Sequence, residues 1–225
     1  MKQKVSDYIA DRLAQEGICQ VFTVTGGGAM HLNDSLGHHP GLSCLYQHHE
    51  QAAAMAAEAY ARVDNRMAAV CVTSGPGATN AITGALCAWM DSIPMLVFSG
   101  QARYATTVPA SGQVRYDTTV RHSGLKIRTM GVQEYDITPS VEPMTKYAVM
   151  VTDPLTIRYH LERAIYLAKT GRPGPCWLDL PLNIQSAIIE TDDLVDSLSA
   201  IETLKADFTV SDYYGVYYYT QEQGF

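Results

Sequence analysis

Residues 67–90 read MAAVCVTSGPGATNAITGALCAWM. The run Met67 to Thr73 is short and apolar without alternation, as expected of a strand covered on both faces. Ser74-Gly75-Pro76-Gly77 is turn chemistry, and Ala78 to Met90 is rich enough in helix formers to predict one helix. Strand, tight turn and helix together make the repeating unit of a parallel sheet. Outward from it the same unit recurs. Val21-Phe22-Thr23-Val24 runs into Gly26-Gly27-Gly28 and a short helix, Ala29 to Leu36. A strand from Leu42 to Tyr46 precedes an alanine-rich helix, Glu50 to Val63, and Pro94 to Ser99 is a fourth strand. Tyr147 to Val151, Leu155 to Lys169 and Pro175 to Leu180 repeat the theme. At the front, Val5, Tyr8, Ile9 and Leu13 recur at helical spacing until Gly17 closes the helix. The expected class is α/β, a parallel sheet sandwiched by helices.

Ligands in such sheets sit beyond the carboxyl ends of the strands. Those ends carry Thr25 to Gly28, Gln47 to Glu50, Ser74 to Gly77 and Ser99 to Gln101. The candidate residues therefore fall on one rim. Glu50 opens a helix, where an acid complements the helix dipole by a few tenths of a kcal/mol. On the rim, partly desolvated, the same carboxylate could instead exchange a proton with a ligand nitrogen. The glycine turns match neither phosphate-binding fingerprint; tight turning and close approach to a flat ring suit them better.

Composition narrows the remaining choices. A chain of 225 residues, 47% hydrophobic and 17% charged, can bury a core. Its net charge of −7 argues against a nucleic-acid partner. No run of about 18 apolar residues offers a membrane span. The opening MKQKVSDYIADRLAQEG reads as a helix of the mature protein and not as a signal peptide, and a cytoplasmic chain is expected. Five scattered cysteines form no CxxC pair and are expected as free buried thiols. His31, His38, His39, His48 and His49 lack metal-ligand spacing, so no metal is assigned.

Two features stand apart from the sheet. Ser99 to Ala110 (SGQARYATTVPA) and Ser111 to His122 (SGQVRYDTTVRH) form a tandem duplication within one loop. From about Glu190 the chain turns acidic and then tyrosine-rich, ending SDYYGVYYYTQEQGF. The division expected is a domain over 1–190 and a linker or irregular tail over 191–225.

The motifs, in order, resemble the pyrimidine-binding domain of thiamine-diphosphate enzymes, within them the acetolactate synthase group. They are Val24-Thr25-Gly26-Gly27-Gly28, His49-Glu50-Gln51-Ala52-Ala53 with Ala59-Tyr60-Ala61-Arg62, and Thr73 to Asn80. Asp91-Ser92-Ile93-Pro94 leading to Ser99-Gly100-Gln101, Gln133-Glu134-Tyr135-Asp136, Thr145-Lys146, Gly171 to Pro175 and Asp179-Leu180-Pro181 continue the likeness. The resemblance implies that Glu50 hydrogen-bonds the aminopyrimidine of thiamine diphosphate. That favours the imino form, which deprotonates the thiazolium carbon for attack on a 2-keto acid, with the cofactor as electron sink. It implies cofactor contacts from Thr25, Gly26, Gly27, Gly28, Ser74, Gly75, Pro76, Gly77 and Asn80, and a substrate position for Gln101, with Gln113 its duplicate.

Thr25 departs from the proline usual in the family. The family's middle and diphosphate-binding domains, with the Gly-Asp-Gly motif that holds magnesium and diphosphate, have no counterpart here, and FAD is left open. A truncated lyase or transferase domain inactive alone is the first expectation. A pyrimidine-domain subunit of a split enzyme and a non-catalytic interaction module are the others. All three expect a homodimer or a partner chain carrying the diphosphate domain.

Overall fold

The structure, a computed structural model, describes residues 1–64, 66–103 and 131–195. In chain order its elements are β1 (Lys2–Lys4), α1 (Val5–Gln15), β2 (Gln20–Thr23), α2 (Met30–His38), β3 (Ser43–Tyr46), α3 (Glu50–Asp64) and β4 (Ala68–Val72). There follow α4 (Pro76–Asn80), α5 (Ile82–Met90), β5 (Met95–Gln101), α6 (Thr138–Val141), β6 (Tyr147–Met150), α7 (Ile157–Lys169), β7 (Pro175–Pro181), α8 (Leu182–Gln185) and β8 (Ile188–Glu190). Six strands make one parallel sheet in the order β3-β2-β4-β5-β7-β6. Gln113, the second copy of the duplicated loop and the tyrosine-rich tail lie outside the described residues.

Strand period and two-sided burial explain the apolar runs. On β4, Ala69 and Cys71 enter one core while Ala68, Val70 and Val72 enter the other. On β5, Leu96 and Phe98 alternate in the same way with Met95 and Val97. The first core is closed by branched side chains of α1, α2 and α7, among them Ile9, Leu13, Leu32 and Leu161. The second is alanine-rich: Ala53, Ala54 and Ala57 of α3 meet Ala85 and Ala88 of α5 over Trp177. Small side chains let these helices approach closely. A Cβ on Gly84 would lie 2.4 Å from that of Ala54. Gly84 therefore serves the close packing of α5 on α3.

Three expectations are corrected. The single helix over 78–90 is two, α4 and α5, because the last turn of α4 tightens and Ala81 N–H bonds Ala78 O at 3.1 Å. The N-terminal stretch is not helical from its start: Lys2–Lys4 pairs antiparallel with Ile188–Glu190. That pairing joins residues far apart in sequence and has no local signal. The cysteines are free, yet only Cys71 and Cys176 are buried; Cys44 and Cys87 are half-buried and Cys19 is exposed. Burial pushes the Cys71 and Cys176 thiols up to about 12, so both stay protonated at neutral pH. No described helix is long and apolar enough to cross a membrane.

Candidate active-site rim

Glu50 is the first residue of α3, reached directly from the end of the edge strand β3. The helix start leaves it half-buried and aimed at the neighbouring turn. Asn80, the last residue of α4, donates through Nδ2 to Glu50 Oε2 at 2.9 Å. Among the described residues Oε1 accepts no hydrogen bond, and a Cβ on Gly77 would stand 3.2 Å from it. One oxygen is thus fixed by an amide while the other faces a bare stretch of backbone. A simple first-turn acid needs neither feature.

The Gly26–Gly28 turn lies beside this carboxylate's turn, on the ends of β2 and β4. Gly28 N–H donates to Thr73 Oγ1 at 3.0 Å. A Cβ on Gly26 would overlap Thr73 (2.4 Å), and one on Gly100 would overlap the Gly28 carbonyl oxygen (2.1 Å). At Gly27 the situation differs: a Cβ would meet no protein atom within 4 Å. Its missing side chain keeps open space clear. That clear face leaves room for a flat ring against the turn. Thr25 is exposed at the turn's entrance, Ser74 is buried beneath it, and Pro76 is exposed at the start of α4. Gly75 has φ +56, and the Gln133 carbonyl sits where its Cβ would be (2.4 Å). Only glycine meets both demands.

Gln101 is placed differently. It is fully buried at the end of β5, its Nε2 donating to Tyr135 O (2.6 Å) and Asp179 Oδ2 (3.0 Å) while Oε1 accepts from Ala102 N–H (2.9 Å). All its hydrogen-bonding groups are engaged by protein. It joins a directed chain: Trp177 Nε1–H donates to Ser99 Oγ (2.8 Å), whose hydroxyl donates to Asp179 Oδ1 (2.6 Å). In the sequence Asp179 stands only as part of the Asp179-Leu180-Pro181 motif, because a lone Asp in a strand carries no sign of its partners.

Burial pushes the Asp179 carboxyl up to about 8 against the donors Ser99 and Gln101, and the nearby Asp136 carboxylate adds in the same direction. The folded state therefore binds this proton more tightly than the unfolded chain. Its stabilisation is complete below about pH 4 and drains away as pH rises through 8. His160, pushed down to about 4 chiefly by burial, acts in the opposite sense, but only below its ordinary 6.5. Between pH 6.5 and 8 Asp179 contributes a loss on the order of 1–2 kcal/mol. Denaturant unfolding across that window should show this slope in the wild type and lose it in Asp179→Asn. An unchanged slope in the variant would refute the assignment.

Residues 3–122 match the family described as thiamine pyrophosphate enzyme, N-terminal TPP binding domain. The chain is 34% identical over 181 residues to the acetolactate synthase large subunit of Lactococcus lactis subsp. lactis, covering 80% of this chain and 28% of that protein. It is 36% identical over 176 residues to the acetolactate synthase large subunit of Haemophilus influenzae, covering 78% and 27%. Against the isozyme 3 large subunit of Escherichia coli it is 36% identical over 179 residues, 80% and 28%. The matched region thus spans little more than a quarter of these relatives.

Proposed function

The chain belongs to the thiamine pyrophosphate enzymes, whose N-terminal TPP binding domain it carries, and from that premise we propose that it supplies the aminopyrimidine half of an acetolactate synthase-like active site. The reaction is decarboxylation of a 2-keto acid and ligation of the product, a lyase or transferase chemistry. Bound thiamine diphosphate would contribute the electron sink. The chain's own part is to bind, orient and hold a proton. Asn80 fixes one oxygen of Glu50, leaving Oε1 to share a proton with a ring nitrogen. Gly26–Gly28 and Gly75–Gly77 form the walls, with Gly27 leaving room for the ring and Thr25 at the entrance. The observation that carries the reading is the Glu50 carboxylate, tethered through one oxygen and open at the other beside a turn that excludes side chains.

The sequence contains no Gly-Asp-Gly, so the diphosphate and its magnesium fall to residues outside it. We take 1–190 as the pyrimidine-binding domain and 191–225 as the tail, and expect these 225 residues alone to be inactive. Titration calorimetry with thiamine diphosphate and magnesium should give no saturable binding at micromolar concentrations. Tight one-to-one binding would overturn this part of the proposal.

Association completes the reading. Outward on α3 and α5 stand Met55, Val63, Leu86, Trp89 and Met90, all exposed, and Arg62 beside them is paired with Glu58 and Asp91. Exposed apolar side chains of this size favour burial against another chain. A homodimer, or a partner carrying the diphosphate half, would cover it. A monomer by light scattering, with or without such a partner, would remove this element.

A further inference from the structure

Gln185 ends α8 and is completely buried. Its Nε2 donates to Gly28 O at 2.7 Å and to Leu180 O at 2.6 Å, and Leu32 N–H donates to its Oε1 at 3.4 Å. A carboxamide has two N–H donors and one oxygen, and here all are spent on backbone. Gly28 and Leu32 stand four residues apart, the spacing of a helical hydrogen bond. The Gln185 amide is inserted between that donor and that acceptor, bridging the first turn of α2 to the glycine turn that precedes it. The same amide ties both to the end of β7. An apolar side chain of equal size would fill the space but leave the Gly28 and Leu180 carbonyls without these donors.

We propose that Gln185 is a positioning residue for the active-site rim: by splicing its amide into the start of α2, it sets where the Gly26–Gly28 turn stands relative to the sheet. Thr73, just past the end of β4, and Gly100 on β5 hold the turn from the other sides. Gln185 completes a three-sided clamp, which makes the triple glycine a fixed wall. Its relevance to the cofactor rests on the function proposed above; the clamp itself does not.

Amide hydrogen exchange on the full chain tests the clamp without any cofactor. Gln185→Met keeps the volume and removes every hydrogen bond. Protection at Gly28, Ala29 and Leu32 should fall at least tenfold more than at the β4 and β5 amides. Gln185→Glu keeps the acceptor and sets carboxylate oxygens against two carbonyls. Its turn should keep protection at about pH 5, where the protonated carboxyl donates one hydrogen bond, and lose it at about pH 9.5, once the burial-raised carboxyl has ionised. Uniform loss of protection across the sheet, or a turn that stays protected, would overturn the proposal. So would a Gln185→Glu turn indifferent to pH, a comparison that stands even if Gln185→Met fails to fold. Failure of the cofactor reading would appear only in binding and turnover, leaving these exchange rates untouched.

Discussion

Glu50→Gln should leave the chain folded and lower turnover by about 10²–10⁴-fold in any assembly that supplies the diphosphate half, the range for loss of a positioned proton-transfer group. Glutamine has the shape of glutamate and can still accept from Asn80 Nδ2. It cannot hold or share a proton at the position of Oε1, which faces Gly77 without a protein partner. The experiment mixes the chain with an acetolactate synthase large subunit whose own corresponding glutamate has been replaced, and follows consumption of the 2-keto acid. Wild-type chain should restore turnover, whereas Glu50→Gln should not. Because Glu50 is half-buried and makes one described hydrogen bond, unfolding stability should change by no more than about 1 kcal/mol. Equal turnover with both chains would sink the catalytic role.

Gly100→Ala should produce a large loss of stability for a single added methyl group. The added carbon would lie 2.1 Å from the Gly28 carbonyl oxygen, 2.3 Å from its carbon and 2.6 Å from Ala29 N, all of them backbone. Neither side can yield cheaply. β5 is paired on both flanks, to β4 and β7, and the turn is held by Thr73 and Gln185. A loss of about 3 kcal/mol, the upper end for overpacked sites, is expected in denaturant unfolding. Gly27→Ala is the control, since its methyl enters open space and should move stability by no more than about 0.5 kcal/mol. If Gly100→Ala proves as stable as Gly27→Ala, the turn is not seated on β5 as described.

The contrast between those two glycines shows how far sequence reading reaches. Both sit in rim segments and are indistinguishable as letters. One is bare because another strand's turn presses on it, the other because the space in front of it is kept clear. Gln101 and Glu50 divide in the same way. Each was assigned to the rim from its motif and its place after a strand, and each lies there. Yet Gln101 is saturated by Tyr135, Asp179 and its own neighbour, while Glu50 keeps one oxygen open. Gln185 gave no sign at all, since a glutamine after a strand has no periodicity to violate.

The sequence by itself determined the class of fold and the order of the sheet-forming units. Two-sided burial writes a strand as an apolar run, and a tight turn into a helix demands glycine, and both are local requirements. It also placed Glu50 at the start of a helix on the ligand rim. The tertiary structure alone decided which rim groups remain free to act. That depends on what residues distant in the chain do to each one: Asn80 to Glu50, Asp179 to Gln101, Gln185 to Gly28. Hydrogen-bond saturation and steric exclusion are properties of neighbours in space, and no spacing along the chain encodes them.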